Sequence, residues 1–168
     1  MNDHQSDLPE VSIGLPVYNG ELFLKKALDS LLNQTYSNFE LIISDNNSTD
    51  STQKICQEYA KNDKRICYIH QEKNIGAFSN FSFVLTKAKA KYFMWAAVDD
   101  YWDNDFLQKN LDILQMDPNI VCSISKINTY DFTDEELVKY DIKTVNYPKF
   151  LKNFVKTNID YIGFEPSK

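Results

Sequence analysis

Two adjacent carboxylates, Asp99 and Asp100, follow directly on seven apolar residues at 92–98. A continuous apolar run of this kind is what a strand shows when both faces of its sheet are covered. Delivered at the end of such a strand, two hard oxygen ligands suit Mg²⁺ or Mn²⁺, which takes one or two carboxylates and completes its shell with phosphate oxygens and water. Where the leaving group is a diphosphate, such an ion neutralises the charge that grows on the departing phosphate. That chemistry needs a nucleotide pocket beside it. Residues 16–19 and 45–47 can provide one: Tyr18 offers a stacking face, and Asp45, Asn46 and Asn47 offer hydrogen bonds to a base edge or ribose. Ser48 and Asp50, in the same polar stretch, read as a turn and a helix cap.

The elements that must position these residues alternate. Val11 to Val17 is a short apolar run closed by the turn residues Tyr18, Asn19 and Gly20, hence a buried strand with its exit loop. Residues 21–33 place Leu24, Leu28 and Leu31 at helical spacing, with Lys25, Lys26 and Asp29 opposite. A second strand at 39–44 leads through the Asp/Asn loop to a helix carrying Ile55, Cys56, Tyr59 and Ala60. Asp50 and Gln53 have the spacing of a capping box there. A third strand spans 65–70, and in the helix after it Phe78, Phe81, Leu85 and Ala88 share one stripe, read as core. The run at 92–98 is the fourth strand. Asp105 caps a helix with Phe106, Leu107, Leu111 and Leu114 that ends before Asp117 and Pro118, and 120–127 reads as a further strand. Beyond Asp131 the pattern has no clear period. Alternation of this length implies a parallel sheet with helices on both faces, whose ligands lie beyond the carboxyl ends of the strands. The loops after Val17, Ser44 and Val98 are therefore expected on one edge.

Composition bounds the rest. At 168 residues there is room for one domain, or most of a larger one. With 43% hydrophobic and 25% charged residues the chain is globular, and a net charge of -6 leaves no basic field for nucleic acid. An acidic protein that holds an anionic ligand needs a metal ion or local backbone donors. Cys56, Cys67 and Cys122 are widely spaced, without a C-x-x-C pair, and read as buried thiols of a reducing compartment. No stretch approaches a membrane span and residues 1–10 form a polar leader unlike a signal peptide, so the chain reads as cytoplasmic or peripheral at the inner face of a membrane. His4 and His70 fall in no metal-binding pattern and are assigned no chemistry. With four glycines, and neither a Walker loop nor G-x-G-x-x-G, a glycine-rich phosphate cradle is excluded. A receiver-like phosphoacceptor domain would need its acid pair after the first strand, where Tyr18 and Asn19 stand.

Three segments occur in a familiar order: VSIGLPVYNGELFLKKALDSLLNQTYSNFELIISDNNSTDST, then NIGAFSNFSFVLTKAKAKYFMWAAVDDYW, then the helix from Asp105. Together they resemble the nucleotide-binding half of the family 2 glycosyltransferases, over about two thirds of the chain. The resemblance implies a GT-A fold, Rossmann-like and mostly parallel, with helices on both faces and much of the C-terminal acceptor half lacking. It divides the chain into the leader at 1–10, a nucleotide-sugar-binding region at 11–130 and a short C-terminal segment at 131–168. It implies that Pro16, Tyr18 and Glu21 lie around the base and ribose, as Asp45 and Asn46 do in the second loop. Asp99 and Asp100 would be the counterpart of the D-x-D motif, Asp99 toward ribose or phosphate and Asp100 on Mn²⁺ or Mg²⁺.

Two departures are visible. The second loop reads Asp45, Asn46, Asn47, Ser48 where the family usually has D-D-G-S or D-D-N-S, so an amide replaces the carboxylate often aimed at a uracil N–H. The acidic motif lacks the extra upstream Asp of many relatives, with Ala97 and Val98 before Asp99. The implied activity is metal-dependent, inverting transfer of a sugar from a UDP-, dTDP- or GDP-sugar to a glycan or lipid-linked acceptor in bacterial surface polysaccharide assembly. A relative that binds the donor without transferring it is the alternative. No catalytic base is identified among Asp131, Asp134, Glu135, Glu136, Asp160 and Glu165. A surface left bare of its acceptor half would favour a homo-oligomer.

Overall fold

The computed structural model describes residues 8–125, 127–130, 136–140 and 160–162. Most of the leader, and the carboxylates Asp131, Asp134, Glu135 and Glu165, lie outside the described residues, as does His4. Four strands, β1 (Val11–Val17), β2 (Phe39–Asp45), β3 (Ile66–His70) and β4 (Tyr92–Trp95), alternate with helices α1 (Leu24–Leu32), α2 (Thr52–Asn62) and α3 (Ala77–Lys87). Helix α4 (Phe106–Met116) follows, then the short strands β5 (Cys122–Ser123) and β8 (Asp160–Ile162). Between these two, β6 (Ile127–Tyr130) and β7 (Glu136–Tyr140) form a separate antiparallel pair. The main sheet runs β3-β2-β1-β4-β8-β5 with all pairs parallel. Its order reverses between β1 and β4, where the chain returns through α3 from the β3 edge. A crevice at such a switch point is the ordinary ligand position of an open α/β sheet.

Strand alternation explains the layers. Val11, Ile13, Leu15 and Val17 of β1, Phe39, Leu41 and Ile43 of β2, and Tyr92 and Met94 of β4 join Leu24, Leu28 and Leu31 of α1 in one core. Ile55 and Cys56 of α2 and Leu107, Leu111 and Leu114 of α4 belong to the same core. The opposite face is smaller: Ile42, Val84 and Phe93, with Ile69, Leu85, Ala88 and Trp95 at its margin. Complete burial of a Leu or Ile side chain contributes about 1.5–3 kcal/mol, so the larger layer carries most of the apolar stabilisation.

Several expectations change. The α3 stripe is turned from the one that periodicity suggests: Phe78 is 86% exposed and Phe81 36%, while Asn80 and Val84 are buried. A polar residue takes the inward position because Ser44 Oγ donates to Asn80 Oδ1 (2.6 Å) and Asn80 Nδ2 donates to the Ser44 carbonyl (2.9 Å). The fourth strand ends at Trp95, not at Val98; the Ala96 N–H still reaches the Gly14 carbonyl (2.8 Å), after which the chain turns. Instead of one strand at 120–127 there are two residues of β5 and then β6. Here Asn110 of α4 draws the chain aside by accepting from Ser123 Oγ (2.7 Å) and donating to Ser125 Oγ (2.8 Å).

The helix starts differ as well. Neither Ser51 nor Asp105, the residues at the cap positions of α2 and α4, makes a side-chain cap bond, and no capping box forms at Asp50. Asp105 instead pairs with Lys109 at 2.6 Å. Of the three thiols only Cys56 is buried; Cys122 is half-buried and Cys67 exposed. Cys67 projects from β3, an edge strand of the sheet, on the face that carries α3.

Candidate functional site

Loops after β1, β2 and β4 meet at the carboxyl edge of the sheet, as the alternation implies. The Asn46 N–H donates to the Val17 carbonyl (2.8 Å), extending the β1–β2 ladder by one bond. Beyond it the two loops are laced by side chains. Asn19 donates its N–H to Ser48 Oγ (2.9 Å), and its Oδ1 accepts the Thr49 N–H (2.8 Å). The Gly20 N–H donates to Thr52 Oγ1 (2.8 Å). Asn19 and Asn47 both have positive φ, 51° and 61°, which Asn tolerates better than most residues. The β4 loop closes against β1 at Gly20, where an added Cβ would lie 2.7 Å from methyls of both Val17 and Val98. Only a glycine permits that approach.

The candidate residues divide by what their side chains are doing. Pro16 lies buried within β1, opposite Ser44. Tyr18 is 48% exposed at the β1 exit. Glu21 accepts the Ser51 N–H (2.9 Å) while its own N–H donates to Asp50 Oδ2 (3.1 Å), so it braces the start of α2. Asp50 also accepts the Thr52 N–H (2.9 Å). Burial pushes the Asp50 carboxyl upward, but bonds from Thr52 and Glu21 outweigh it and hold the group below the ordinary carboxylate range. Asn46 is buried and occupied at both ends: its Oδ1 accepts the Ile75 N–H (2.8 Å) and its Nδ2 donates to Asn74 Oδ1 (3.0 Å). Its amide is committed to the loop before α3.

Asp45 is fully buried, and its Oδ1 accepts the Ser48 N–H (2.9 Å). Its Oδ2 lies 3.1 Å from both the Tyr68 hydroxyl and His70 Nδ1. Burial and the Asp45 charge raise the Tyr68 hydroxyl, and burial first, then Asp45, pushes the Cys56 thiol up to about 12. His70, Asn74 and Asn80 are site-edge residues that the motif reading missed. The edge rule that selected the loops after β1, β2 and β4 applies equally to β3, which ends in His70.

Asp99 and Asp100 are exposed beyond β4, where the Asp100 N–H donates to the Ala97 carbonyl (3.3 Å). The following segment is pinned to α1. The Trp102 N–H donates to Ser30 Oγ (3.2 Å), and Gln34 bridges the Asp103 carbonyl (2.7 Å) and the Leu107 N–H (2.9 Å). Neighbouring protein raises the Asp100 carboxyl, and the Asp99 charge adds to the rise. Two hard carboxylates that repel each other suit a divalent cation whose remaining positions go to phosphate oxygens and water. Among the described residues no cluster of three or more His, Cys, Asp or Glu forms a closed metal site. Concavities of about 340 Å³ between α1 and α2, and about 450 Å³ near Leu8 and Arg65, contain none of these residues.

Comparison with known proteins gives a concordant picture. The model of Glycosyl transferase family 2 matches residues 12–164. Glycosyltransferase GlyA of Streptococcus pneumoniae serotype 4 is 33% identical over 134 residues, 78% of this chain and 18% of that protein. TuaG of Bacillus subtilis, whose name assigns it provisionally to teichuronic acid biosynthesis, is 36% identical over 106 residues, 63% of this chain and 42% of TuaG. This chain thus spans less than half the length of these curated relatives. Among solved structures, the mannosyltransferase PcManGT of Pyrobaculum calidifontis, in complex with GDP-Man and Mn²⁺, superposes with a TM-score of 0.64. At 22% identity over 73% of this chain and 37% of that one, the likeness is one of fold.

Proposed function

The chain belongs to glycosyl transferase family 2, and we propose that its carboxyl edge is the donor site of a metal-dependent, inverting glycosyltransferase acting on a nucleotide-sugar. One observation carries the reading: Val98 packs on Gly20, which brings the loop bearing Asp99 and Asp100 against the loop bearing Tyr18. In this reading Tyr18 lies against the base or ribose, and Asp99 faces ribose or phosphate. Asp100 holds Mn²⁺ or Mg²⁺, which when bound supplies charge neutralisation to the departing diphosphate. Asp45 and Glu21 shape the pocket from within, since both carboxylates are spent on the loops. Asn46 fixes the loop before α3 in the same way. The bonds through Gly20, Glu21, Asp50 and Thr52 hold the loops in place before any ligand arrives, which lowers the ordering cost of binding.

A glycan or lipid-linked acceptor in surface polysaccharide assembly is the proposed partner; the name of TuaG supports that context. Inverting transfer requires a carboxylate base opposite the leaving diphosphate, and none of the described residues is assigned that role. The test is release of nucleoside diphosphate from UDP-, dTDP- and GDP-sugars with Mn²⁺, for the wild-type chain and Asp100→Ala. The reading predicts release from one donor, reduced at least about tenfold in the variant, as loss of a charge-assisted contact implies. Release of equal rate in both proteins contradicts it. Donor binding without release supports instead the second reading, a chain that binds donor and does not transfer.

A further inference from the structure

We infer that His70 is a specificity-determining residue of the donor site, its Nε2 accepting the ring N–H of the nucleobase's Watson–Crick edge. The inference rests on the nucleotide reading above and adds to it the identity of the group that selects the base.

Register supplies the position. Val17 of β1 pairs with Asp45 of β2, and Asp45 with His70 of β3, so the three residues form one row at the carboxyl edge. Asp99 and Asp100 stand beyond β4, on the other side of β1. From β4 to β3 is three strand spacings, about 14 Å, comparable with an extended nucleoside diphosphate. With the diphosphate at Asp100 and the ribose over the β1 exit, the base falls on the ends of β2 and β3.

Chemistry then separates the groups available there. Asp45 is an acceptor that is fully buried and already receives the Ser48 N–H and the Tyr68 hydroxyl. Asn46, which stands where the family often has its base-reading carboxylate, spends both amide ends on Asn74 and Ile75. His70 differs from both, with a side chain 33% exposed beside the fully buried carboxylate. A carboxylate only accepts, so the 3.1 Å contact requires the proton on Nδ1. In the neutral ring this leaves Nε2 with a lone pair, and among the described residues Nε2 has no hydrogen-bond partner. The buried Asp45 therefore acts at the surface through His70, fixing its tautomer and ring orientation.

An acceptor at that place matches uracil and thymine N3–H or guanine N1–H. Cytosine opposes it at that ring position, where N3 carries a lone pair and the only donor is the exocyclic N4 amine to one side. A site built around an acceptor rejects a base that lacks a donor at that position because the two facing lone pairs are left unpaired.

The experiment is calorimetric titration of the whole chain, in Mn²⁺, with UDP, dTDP, GDP and CDP, repeated with His70→Ala and accompanied by thermal unfolding of both proteins. The expected result is at least about tenfold preference of the wild type for the best nucleotide with a ring N–H over CDP, one net hydrogen bond's worth. In His70→Ala that ratio should fall below about threefold, with melting temperature and Mn²⁺ requirement retained. A merely structural role would weaken all four ligands alike and leave the ratio standing. Equal binding of CDP by the wild type, or a ratio unchanged in the variant, overturns the inference while the donor site stands. Failure of all four nucleotides to bind overturns the donor site itself.

Discussion

Asp45 and His70 are register partners on neighbouring parallel strands, and the carboxylate of the first lies 3.1 Å from Nδ1 of the second. The buried side chain anchors the loop after β2 and the end of β3 together. Replacing it with alanine leaves the Ser48 N–H and the Tyr68 hydroxyl without their acceptor. Asp45→Ala is expected to cost about 3 kcal/mol, read by urea unfolding; a loss below about 1 kcal/mol would mean that these contacts contribute little.

Gly20 tests the joint between the β1 and β4 loops. A methyl group there meets two stiff valine side chains at 2.7 Å. Gly20→Ala should destabilise the chain by about 1–3 kcal/mol, the usual cost of overpacking. If the joint orders the donor site, nucleotide affinity at a temperature where the variant is folded should fall as well. Unchanged stability would show that Val98 moves aside freely.

Helix α3 offers a paired comparison. Val84→Ala empties a buried position and should cost about 2 kcal/mol, whereas Phe78→Ser, at 86% exposure, should stay within about 0.5 kcal/mol. The reverse order in chemical denaturation would restore the aromatic stripe to the core.

Acid should loosen the loops through Asp50. Its carboxyl is held below its unfolded value, so its contribution is fully present above about pH 3.9 and is lost as pH falls through the lower folded value. Asp50→Asn should be less stable than wild type at neutral pH, with the difference shrinking in strong acid. A difference independent of pH would remove Asp50 from the account.

The sequence carries the repeated strand, polar loop and helix plainly, because the buried parallel strands are mostly apolar runs and α1 has a clean stripe. Its motifs also locate the edge where the loops meet. Other features depend on partners remote in sequence. The inward face of α3 is decided by Asn80 meeting Ser44, 36 residues away, and a polar core position breaks the apolar period. Apolar residues at 96–98 read as strand because Val98 packs on Gly20 while leaving the ladder, and burial alone does not distinguish the two. The committed amide of Asn46 and the Asp45–His70 pair depend on register across strands, which single-chain spacing does not encode.

The most direct test of the proposed donor site is calorimetric binding of UDP and GDP to the whole chain, with Mn²⁺ and with a chelator, for wild type and Asp100→Ala. The account predicts binding of at least one nucleotide that needs the metal and is weakened about tenfold or more by the substitution. Binding of equal strength with chelator and in Asp100→Ala would contradict it.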